Sequence, residues 1–393
     1  MRVMHVIPSV EERSGGPATA IVPMCRALMQ QGIEVLLITT NHGLDDEEVL
    51  RRSVYREVPA RFFPSQLGES FKYSRPLATW LAFHTNSFDL VHIHSVFNHA
   101  SVAAAHACRK ANVPYVIRPL GTLEPWSMAQ KPLRKHFFLQ VSGKGILRRA
   151  AAVHYTTEAE KRSTERLLGF NHGRVIPLGV EINASVRGDG LARHFPNLTG
   201  ESYVLVLSRL HPKKGLDVLI DAFLSLVQTQ KLGHWRLAIA GDGPLDYVLK
   251  LKARVALSPQ RDRIVFMGWL DGEKKHAVLA GASLLALPSR QENFGLCVME
   301  ALSHSVPVLV SSSVNLADEI EAANAGWVAA LDKDALTVKL AEALADKDEL
   351  ARRGRAGKQL SEKYSWENAA KNLAELYQGV VRHRLDGLGT DRC

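Results

Sequence analysis

The sequence has few cysteines, and they lie far apart. The four are Cys25, Cys108, Cys297 and Cys393. No two of them have the spacing of a metal site or of a redox pair. So sparse a set in a chain of 393 residues excludes a disulfide framework and is typical of a protein from the reducing cytoplasm.

Long hydrophobic runs are also missing. The longest uncharged stretch, Leu90–Cys108, approaches the length of a membrane span but contains four histidines, two serines and an asparagine. The apolar run at the amino terminus is too short for a signal peptide and meets Glu11 and Glu12 at once. We therefore expect a cytoplasmic protein, with peripheral attachment to the inner face of a membrane left open.

Acidic residues are absent from Pro125 to Thr157, a stretch rich in cations and large apolar residues. These residues are Lys131, Arg134, Lys135, Lys144, Arg148 and Arg149, with Trp126, Phe137, Phe138 and Leu139 among them. A helix of this composition can lie on an anionic membrane, which would give peripheral contact through residues 125–150. The alternative is a helix whose lysines are solvated and whose aromatic side chains are buried in the domain.

The overall composition is that of an ordinary globular chain. Hydrophobic residues make up 46% and charged residues 23%, which excludes a disordered or fibrous protein. The formal net charge of +9 favours anionic partners such as nucleotides and phosphates. We expect no nucleic-acid partner, because that interpretation would depend on the charge alone and no recognition motif supports it.

Short β-rich runs alternate with helical patterns along the chain, which predicts an α/β fold with parallel sheets. The pattern lapses between Leu178 and Glu201, where Gly, Asn, Ser and Pro are abundant. We expect an amino-terminal Rossmann-like domain at 1–190, a second at 200–362 and a helix at 363–393 that crosses back to the first. Two such βαβ domains facing across a cleft would bind ligands at the carboxyl ends of their strands.

The window from Ser289 to Ser305 is the most informative. A strand is predicted to end just before it, and a helix is predicted to begin near Leu296. Free backbone N–H groups at that helix start, opened by Gly295, would form an anion site. Glu292 precedes the helix and Glu300 lies in its second turn, so two carboxylates can bracket a ligand that carries sugar hydroxyls.

Three further strand ends carry suitable residues. Arg209 and Lys214 follow one strand, where their positive charges would meet a diphosphate. Gly241 follows the next strand and would let the backbone approach a ligand closely. Gly268 and Trp269 lie at the end of a third strand and could contact the edge of a nucleobase. Each signal is weak by itself, but four in successive βα units indicate one nucleotide site.

With these motifs, nearly the whole chain resembles the retaining GT-B glycosyltransferases of family four, the bacterial polysaccharide-type transferases of group 1. The most specific shared element is Glu-x7-Glu, here Glu292 to Glu300. The resemblance implies that Glu300 holds the nucleotide ribose, and that Glu292 contacts the donor sugar and acts in catalysis with Arg209 and Lys214. The donor-binding residues that it implies are Gly15, Gly16, Arg209, Lys214, Gly241, Gly268, Trp269, Leu270, Glu292, Asn293, Phe294, Gly295, Leu296 and Glu300.

The sequence departs from the family in the amino-terminal domain, where many members carry a His before Gly. The aligned pair here is Leu120–Gly121. The residues considered for the acceptor or sugar side are His94, Asn98, Arg118, Gly121, Thr122, Glu124 and Glu158. Thr156 is predicted to cap the helix that contains Glu158. His92 and His94 resemble a metal-binding pair, but hydrogen-bonded histidines on a buried strand are the preferred interpretation.

The resemblance implies a metal-independent, retaining hexosyltransferase of the EC 2.4 class. It would move a hexose from a UDP-sugar, UDP-glucose or similar, to an oligosaccharide or lipid-linked glycan in bacterial envelope or exopolysaccharide synthesis. No cofactor is expected beyond the nucleotide-sugar co-substrate. The strings Asp332–Asp334 and Asp346–Asp348 are interpreted as helix starts or turns, not as a metal site. A UDP-sugar 2-epimerase of the same fold and a non-catalytic sugar-nucleotide-binding protein remain alternatives.

Overall fold

The structure, a computed structural model, describes residues 1–44, 53–68, 71–181, 190–228 and 234–390. The chain forms two compact units. The first unit contains residues 1–179 and 366–393, and the second contains residues 180–365. Each unit has its own sheet with helices packed against it.

Apart from β3 and β4, which follow each other directly, the described strands follow the predicted βα alternation. In chain order they are β1 (Arg2–Val6), β2 (Glu34–Thr40), β3 (Val54–Tyr55), β4 (Val58–Phe63), β5 (Leu90–His94), β6 (Tyr115–Arg118), β7 (Ala152–Tyr155), β8 (Gly173–Val175), β9 (Tyr203–Leu207), β10 (Arg236–Ala240), β11 (Ile264–Gly268), β12 (Leu284–Leu287), β13 (Val308–Ser311) and β14 (Gly326–Ala329).

The described α-helices lie between these strands and at the end of the chain. They are α1 (Gly16–Gln30), α2 (Arg75–His84), α3 (His99–Ala111), α4 (Pro125–Ala129), α5 (Pro132–Phe138), α6 (Lys144–Arg149), α7 (Glu158–Leu168), α8 (Gly190–His194), α9 (Leu216–Gln228), α10 (Leu245–Ala256), α11 (Gly272–Gly281), α12 (Leu296–Ser303), α13 (Ala317–Ala322), α14 (Lys333–Ala345), α15 (Lys347–Glu362) and α16 (Trp366–Thr390). None of them is long and apolar enough to cross a bilayer.

The division between the two units falls inside the predicted boundary stretch Leu178–Glu201, close to its start. The first unit ends at Gly179 and the second begins at Val180. Within the second unit, the Val180 N–H donates to the Tyr364 carbonyl oxygen at 2.7 Å. Residues 182–189 of the predicted linker lie outside the described residues. Beyond them, 190–194 and 196–198 form short helices where the sequence pattern predicted no structure.

The sheet of the first unit has the order β3-β4-β2-β1-β5-β6-β7-β8, and every pairing is parallel except that of β3 with β4. One of its faces packs on α1 and α16, through Leu28 and Leu373 among others. The other face packs on α2 and α3, through Leu81 and Ala104 among others. Buried apolar side chains on both faces explain why its strands read as continuous hydrophobic runs.

The sheet of the second unit is parallel throughout and has the order β11-β10-β9-β12-β13-β14. The chain runs outward from β9 through β10 to β11, and it returns to the centre to run outward again from β12. The carboxyl ends of β9 and β12 are therefore the topological switch point, where a parallel α/β sheet opens a crevice for a ligand.

Candidate functional site

The switch point of the second unit carries a partly buried ion pair. Lys214 follows β9 and Glu292 follows β12, and the Lys214 Nζ contacts Glu292 Oε2. Their side chains are only 13% and 15% exposed. The parallel pairing of β9 with β12 thus unites two residues that lie 78 positions apart in the sequence.

Positive charge dominates the surroundings of Glu292. Burial by itself would raise the pKa of this carboxyl, but Lys214, Lys213 and Arg209 outweigh that effect and hold the pKa below its ordinary value. Glu292 is therefore ionised at neutral pH. An anionic ligand that enters here would compete with Glu292 for the same cations, so the site can bind phosphate oxygens.

Two glycines bring the strand-end loops together. Gly215 has φ +65°, and a Cβ there would overlap the carbonyl oxygen of Pro288, which follows β12. Gly241 has φ +144°, and a Cβ there would overlap the carbonyl oxygen of Ser208, beside Arg209. Only glycine permits both the backbone angle and the close approach. The close approach of the Ser208 backbone therefore requires glycine at position 241. Gly241 thus allows the loop that carries Arg209 to pack where it does.

The start of α12 is held rigidly. Gly295 caps the helix with φ +69° and has no side chain to accept from the first-turn N–H groups. Glu292 is fixed through its backbone, which donates to the Ser313 carbonyl at 3.2 Å and accepts from the Asn315 N–H at 3.0 Å. The Phe294 ring is buried and packs edge-on against Tyr364. Phe294 can therefore meet a ligand through its backbone but not through its ring.

Asn293 and Leu296 flank this turn. The Asn293 Oδ1 accepts a hydrogen bond of 3.3 Å from the Asn315 amide, and both residues are partly exposed. On the other side of the sheet, the Gly241 N–H donates to the Gly268 carbonyl at 2.7 Å, so that these two predicted residues also meet. Beyond Gly268, Trp269 is partly exposed while Leu270 is buried.

Glu300 has a partner that the sequence did not indicate. Its Oε1 accepts from the Lys275 Nζ at 2.6 Å, and both side chains are partly buried. Lys275 lies on α11, which has no obvious ligand-binding motif. Only the packing of α11 beside α12 shows that this lysine belongs to the site. A ligand group bound by Glu300 would therefore also lie near a positive charge.

The residues predicted in the first unit are mostly part of its interior. His94, Asn98, Arg118 and Glu124 are all buried. Asn98 is a structural residue, because its Oδ1 caps α3 by accepting from the Ser101 N–H at 2.9 Å. The more accessible members of the predicted set are Gly16, Thr122 and Glu158. Gly15 is buried and has φ +117° just before α1.

The buried carboxylate of this region is Glu160, two residues beyond the predicted Glu158. Its Oε1 accepts from the Gly121 N–H at 2.6 Å, and its Oε2 accepts from the Thr156 N–H and hydroxyl at 2.8 and 2.9 Å. Glu158 is exposed at the first turn of α7. Glu160 thus fixes the loop that contains Gly121.

The predicted cap of α7 was also wrong by one position. The Thr157 hydroxyl accepts from the Glu160 N–H at 3.1 Å and caps the helix. The Thr156 side chain instead donates to Glu160. Asp332 caps α14, and Asp346 caps α15. Both aspartate strings therefore lie at helix starts, which was one of the predicted interpretations.

A chain of hydrogen bonds runs through the sheet beneath α16. The His154 Nε2 lies 2.8 Å from the Ile176 carbonyl, which can only accept, so this nitrogen carries the proton. His154 Nδ1 must then accept from His92 Nε2 at 3.3 Å. His92 Nδ1 in turn accepts from the Tyr377 hydroxyl at 2.6 Å. The terminal helix is therefore bonded directly to the sheet.

His5, His92 and His94 form one cluster of hydrogen-bonded histidines in the core. Among the described residues, their ligand atoms lie within 4.8 Å of one another, close enough to suggest a metal site. Both nitrogens of His92 are already in hydrogen bonds, and His5 Nδ1 pairs with His94 Nε2 at 3.1 Å. The buried guanidinium of Arg118 also acts on these rings and disfavours a second cation.

The histidines should make the first unit sensitive to acid. Burial, reinforced by the charge of Arg118, lowers the pKa of His5 and His154 to about 3, and burial holds those of His92 and His94 well below 6.5. The unfolded chain binds these protons below pH 6.5 while the folded chain does not. Stability should therefore fall as pH decreases through this range, by about 1.4 kcal/mol per unit for each histidine.

Urea unfolding of the protein at about pH 7.5 and about pH 5 would measure this loss. His5→Leu should flatten the pH dependence by one histidine's share, whereas a change at the exposed His136 should leave it as it is. A free energy of unfolding that stays constant over this interval would contradict the neutral state of the cluster.

Two family models match this chain, and their spans follow its two units. The model described as "Glycosyl transferase 4-like domain" matches residues 15–179. The model described as "Glycosyl transferases group 1" matches residues 192–360. Together they cover most of the sequence, including the glycine loop of the first unit and the Glu292–Glu300 window of the second.

Similar proteins carry related names. The chain is 25% identical over 388 residues to an uncharacterized glycosyltransferase of Methanocaldococcus jannaschii, covering 93% of this chain and 94% of that protein. It is 31% identical over 185 residues to a GDP-mannose-dependent alpha-(1-6)-phosphatidylinositol monomannoside mannosyltransferase of Mycolicibacterium smegmatis, covering 45% and 47%. The crystal structure of Anabaena Alr3699/HepE with UDP and glucose matches with a TM-score of 0.79 at 20% identity, covering 96% and 100%. The structural likeness confirms the predicted fold.

Proposed function

Because the chain belongs to the group 1 glycosyltransferases of the GT-B fold, which use nucleotide sugars, we propose that it is a retaining, metal-independent hexosyltransferase. Its donor is a UDP-sugar, UDP-glucose or a close analogue. Its acceptor is an oligosaccharide or lipid-linked glycan of bacterial envelope or exopolysaccharide synthesis. The UDP and glucose held by the similar Anabaena protein support the donor, and the lipid acceptor named for the mycobacterial relative supports the acceptor.

The observation that carries the proposal is the partly buried ion pair of Lys214 and Glu292 at the switch point. A donor diphosphate would form ion pairs with Lys214 and Arg209. Glu292 would then be free to accept hydrogen bonds from the sugar hydroxyls. A carboxylate accepts two hydrogen bonds from neighbouring hydroxyls, which fixes the orientation of a hexose. The ion pair thus holds both side chains in position before the donor binds.

Transfer requires that the departing diphosphate be neutralised. Arg209, Lys214 and the N–H groups at the start of α12 supply that stabilisation from fixed positions, without reorganisation during the reaction. In a retaining reaction the leaving phosphate can take the proton of the acceptor hydroxyl, so no separate protein base is needed. The burial of His94, Arg118 and Glu124 agrees with a mechanism that does not recruit them as a base.

We also propose that residues 125–150 contact the inner face of the membrane. Leu133 and Phe137 on α5 and Val141 just after it are spaced by four residues and are 88%, 71% and 66% exposed. Exposed apolar side chains in one row, among cations, are typical of an interfacial helix. Of the aromatic pair in this segment, Phe138 packs inward whereas Phe137 points to solvent.

A thermal-shift series tests the donor. UDP and UDP-glucose in a chelator-containing buffer should raise the melting temperature, by the equivalent of about 2.7 kcal/mol at a hundredfold excess over Kd. GDP and ADP should give smaller shifts. Glu300→Ala should remove the UDP effect, whereas Glu321→Ala, at an exposed glutamate of the same unit, should retain it. If no nucleotide stabilises the protein, the proposed function is wrong.

Turnover without an acceptor separates the reaction classes. A transferase releases UDP from UDP-glucose at a substantial rate only when a glycan acceptor is added. A 2-epimerase would consume the UDP-sugar without one, and a binding protein would consume none under either condition.

A further inference from the structure

The positive charge of the protein is concentrated in one part of the first unit. Between residues 90 and 157 there are nine Lys and Arg residues and a single carboxylate, Glu124. This segment accounts for a formal charge of +8, against +9 for the whole chain. Glu124 and Arg118 are both buried, so eight cations and no carboxylate of this segment remain outside the core. An anionic partner would therefore be drawn to this part of the molecule.

A cavity of about 520 Å³ opens within that segment. It lies where β6 and β7 begin, between α3, α6 and the end of α16. Three arginines line it, Arg109, Arg149 and Arg384, and no Asp or Glu is among the lining residues. Its walls are otherwise largely apolar and include Val141 and Ile146. We refer to it as the arginine cavity.

Among the described side chains, no carboxylate pairs with any of the three arginines within 4.0 Å. The Nε of Arg384 is buried and has no hydrogen-bond partner in the part of the chain that the structure describes. Burial raises the pKa of Tyr115, and Arg149 and Arg109 partly offset the rise, so both act on the same hydroxyl at the cavity wall.

The chemistry of the lining selects an amphipathic anion. Guanidinium groups bind phosphate oxygens through paired N–H donors, so three of them around one space fit a phosphate group. Val141 belongs both to the exposed apolar row and to the cavity wall. A phosphate held in the cavity would therefore sit beside the surface that carries Leu133 and Phe137. This position favours a lipid headgroup over a free phosphate.

We propose that the arginine cavity binds the phosphate of an anionic phospholipid headgroup. Arg109, Arg149 and Arg384 contact the phosphate, and Val141 and Ile146 contact the adjoining apolar part of the lipid. The proposal rests on the membrane contact proposed above. It adds a defined headgroup site to a surface that would otherwise attract membranes only through diffuse charge.

The test compares two triple variants that lose the same charge. The first is Arg109→Gln, Arg149→Gln and Arg384→Gln. The second removes Lys131, Arg134 and Arg148, which belong to the same basic segment but do not line the cavity, by the same change to Gln. Co-sedimentation is measured with vesicles of phosphatidylcholine alone and with vesicles of equal parts phosphatidylcholine and phosphatidylglycerol. Unchanged melting temperatures establish that both variants fold.

The wild type should bind the phosphatidylglycerol vesicles, and the cavity variant should lose about tenfold more affinity than the control variant. Equal losses would mean diffuse attraction and would overturn the proposal, as would failure of the wild type to bind. Stabilisation by inorganic phosphate that the cavity variant loses, without vesicle binding, would identify a free-phosphate site instead. UDP stabilisation should persist in the cavity variant, so failure of this proposal is separable from failure of the donor site.

Discussion

Replacing Lys214 with methionine should lower kcat/KM for sugar transfer by about a thousandfold. Methionine keeps much of the length of the side chain but removes the charge that meets the departing diphosphate. Electrostatic groups that act on charge developing in the transition state commonly have effects of this size. Initial rates of UDP release, measured with donor and acceptor both varied, would give the value.

Stability must be separated from catalysis in this variant. Lys214→Met leaves the partly buried Glu292 carboxylate without its main partner and should destabilise the second unit by about 2 kcal/mol. The double change Lys214→Met and Glu292→Gln should recover the melting temperature but not the activity. Lys213→Met, at the adjacent lysine, should change kcat/KM much less. Activity within a few-fold of wild type in the Lys214 variant would overturn the assignment of the site.

Replacing Glu160 with alanine should lower the free energy of unfolding by about 3 kcal/mol or more. The change removes the carboxylate that accepts from the Gly121 N–H, the Thr156 N–H and the Thr156 hydroxyl. It also removes a negative charge that offsets the buried guanidinium of Arg118. Urea unfolding monitored by circular dichroism would measure the loss.

The matched control for this prediction is Glu158→Ala, which removes the same side chain from an exposed position on the same helix. It should change the free energy of unfolding by no more than about 0.5 kcal/mol. Glu160→Gln keeps the acceptor oxygen and should fall between the two. Similar stabilities for the Glu160 and Glu158 variants would refute the role given to Glu160.

The secondary structure was largely predictable because it depends on local patterns. The β-rich runs became parallel strands since both faces of each sheet are covered by helices. Caps such as Asp332 and Asp346 were recognisable because a short acceptor side chain bonds only to N–H groups of the next turn. The Glu292–Glu300 window also follows from local order, as Gly295 starts a helix directly after a strand.

Other features depend on which elements become neighbours. Glu160 and Glu158 are both acidic residues in the first turn of α7, and nothing local distinguishes them. Glu160 is buried because that side of the helix packs against the loop at Gly121, which is 39 residues away. Arg118 likewise looked available for a substrate, yet its strand places it beneath the terminal helix among histidines.

The sequence by itself determined the family, the α/β alternation, the helix starts and the residue types at the strand ends. The tertiary structure alone decided that Lys214 meets Glu292, that Lys275 meets Glu300, and that three distant arginines surround one cavity. The reason is that propensity and capping act over a few residues, whereas ion pairs and cavities depend on strand order and helix packing. Those contacts join segments whose separation along the chain carries no information about their distance in space.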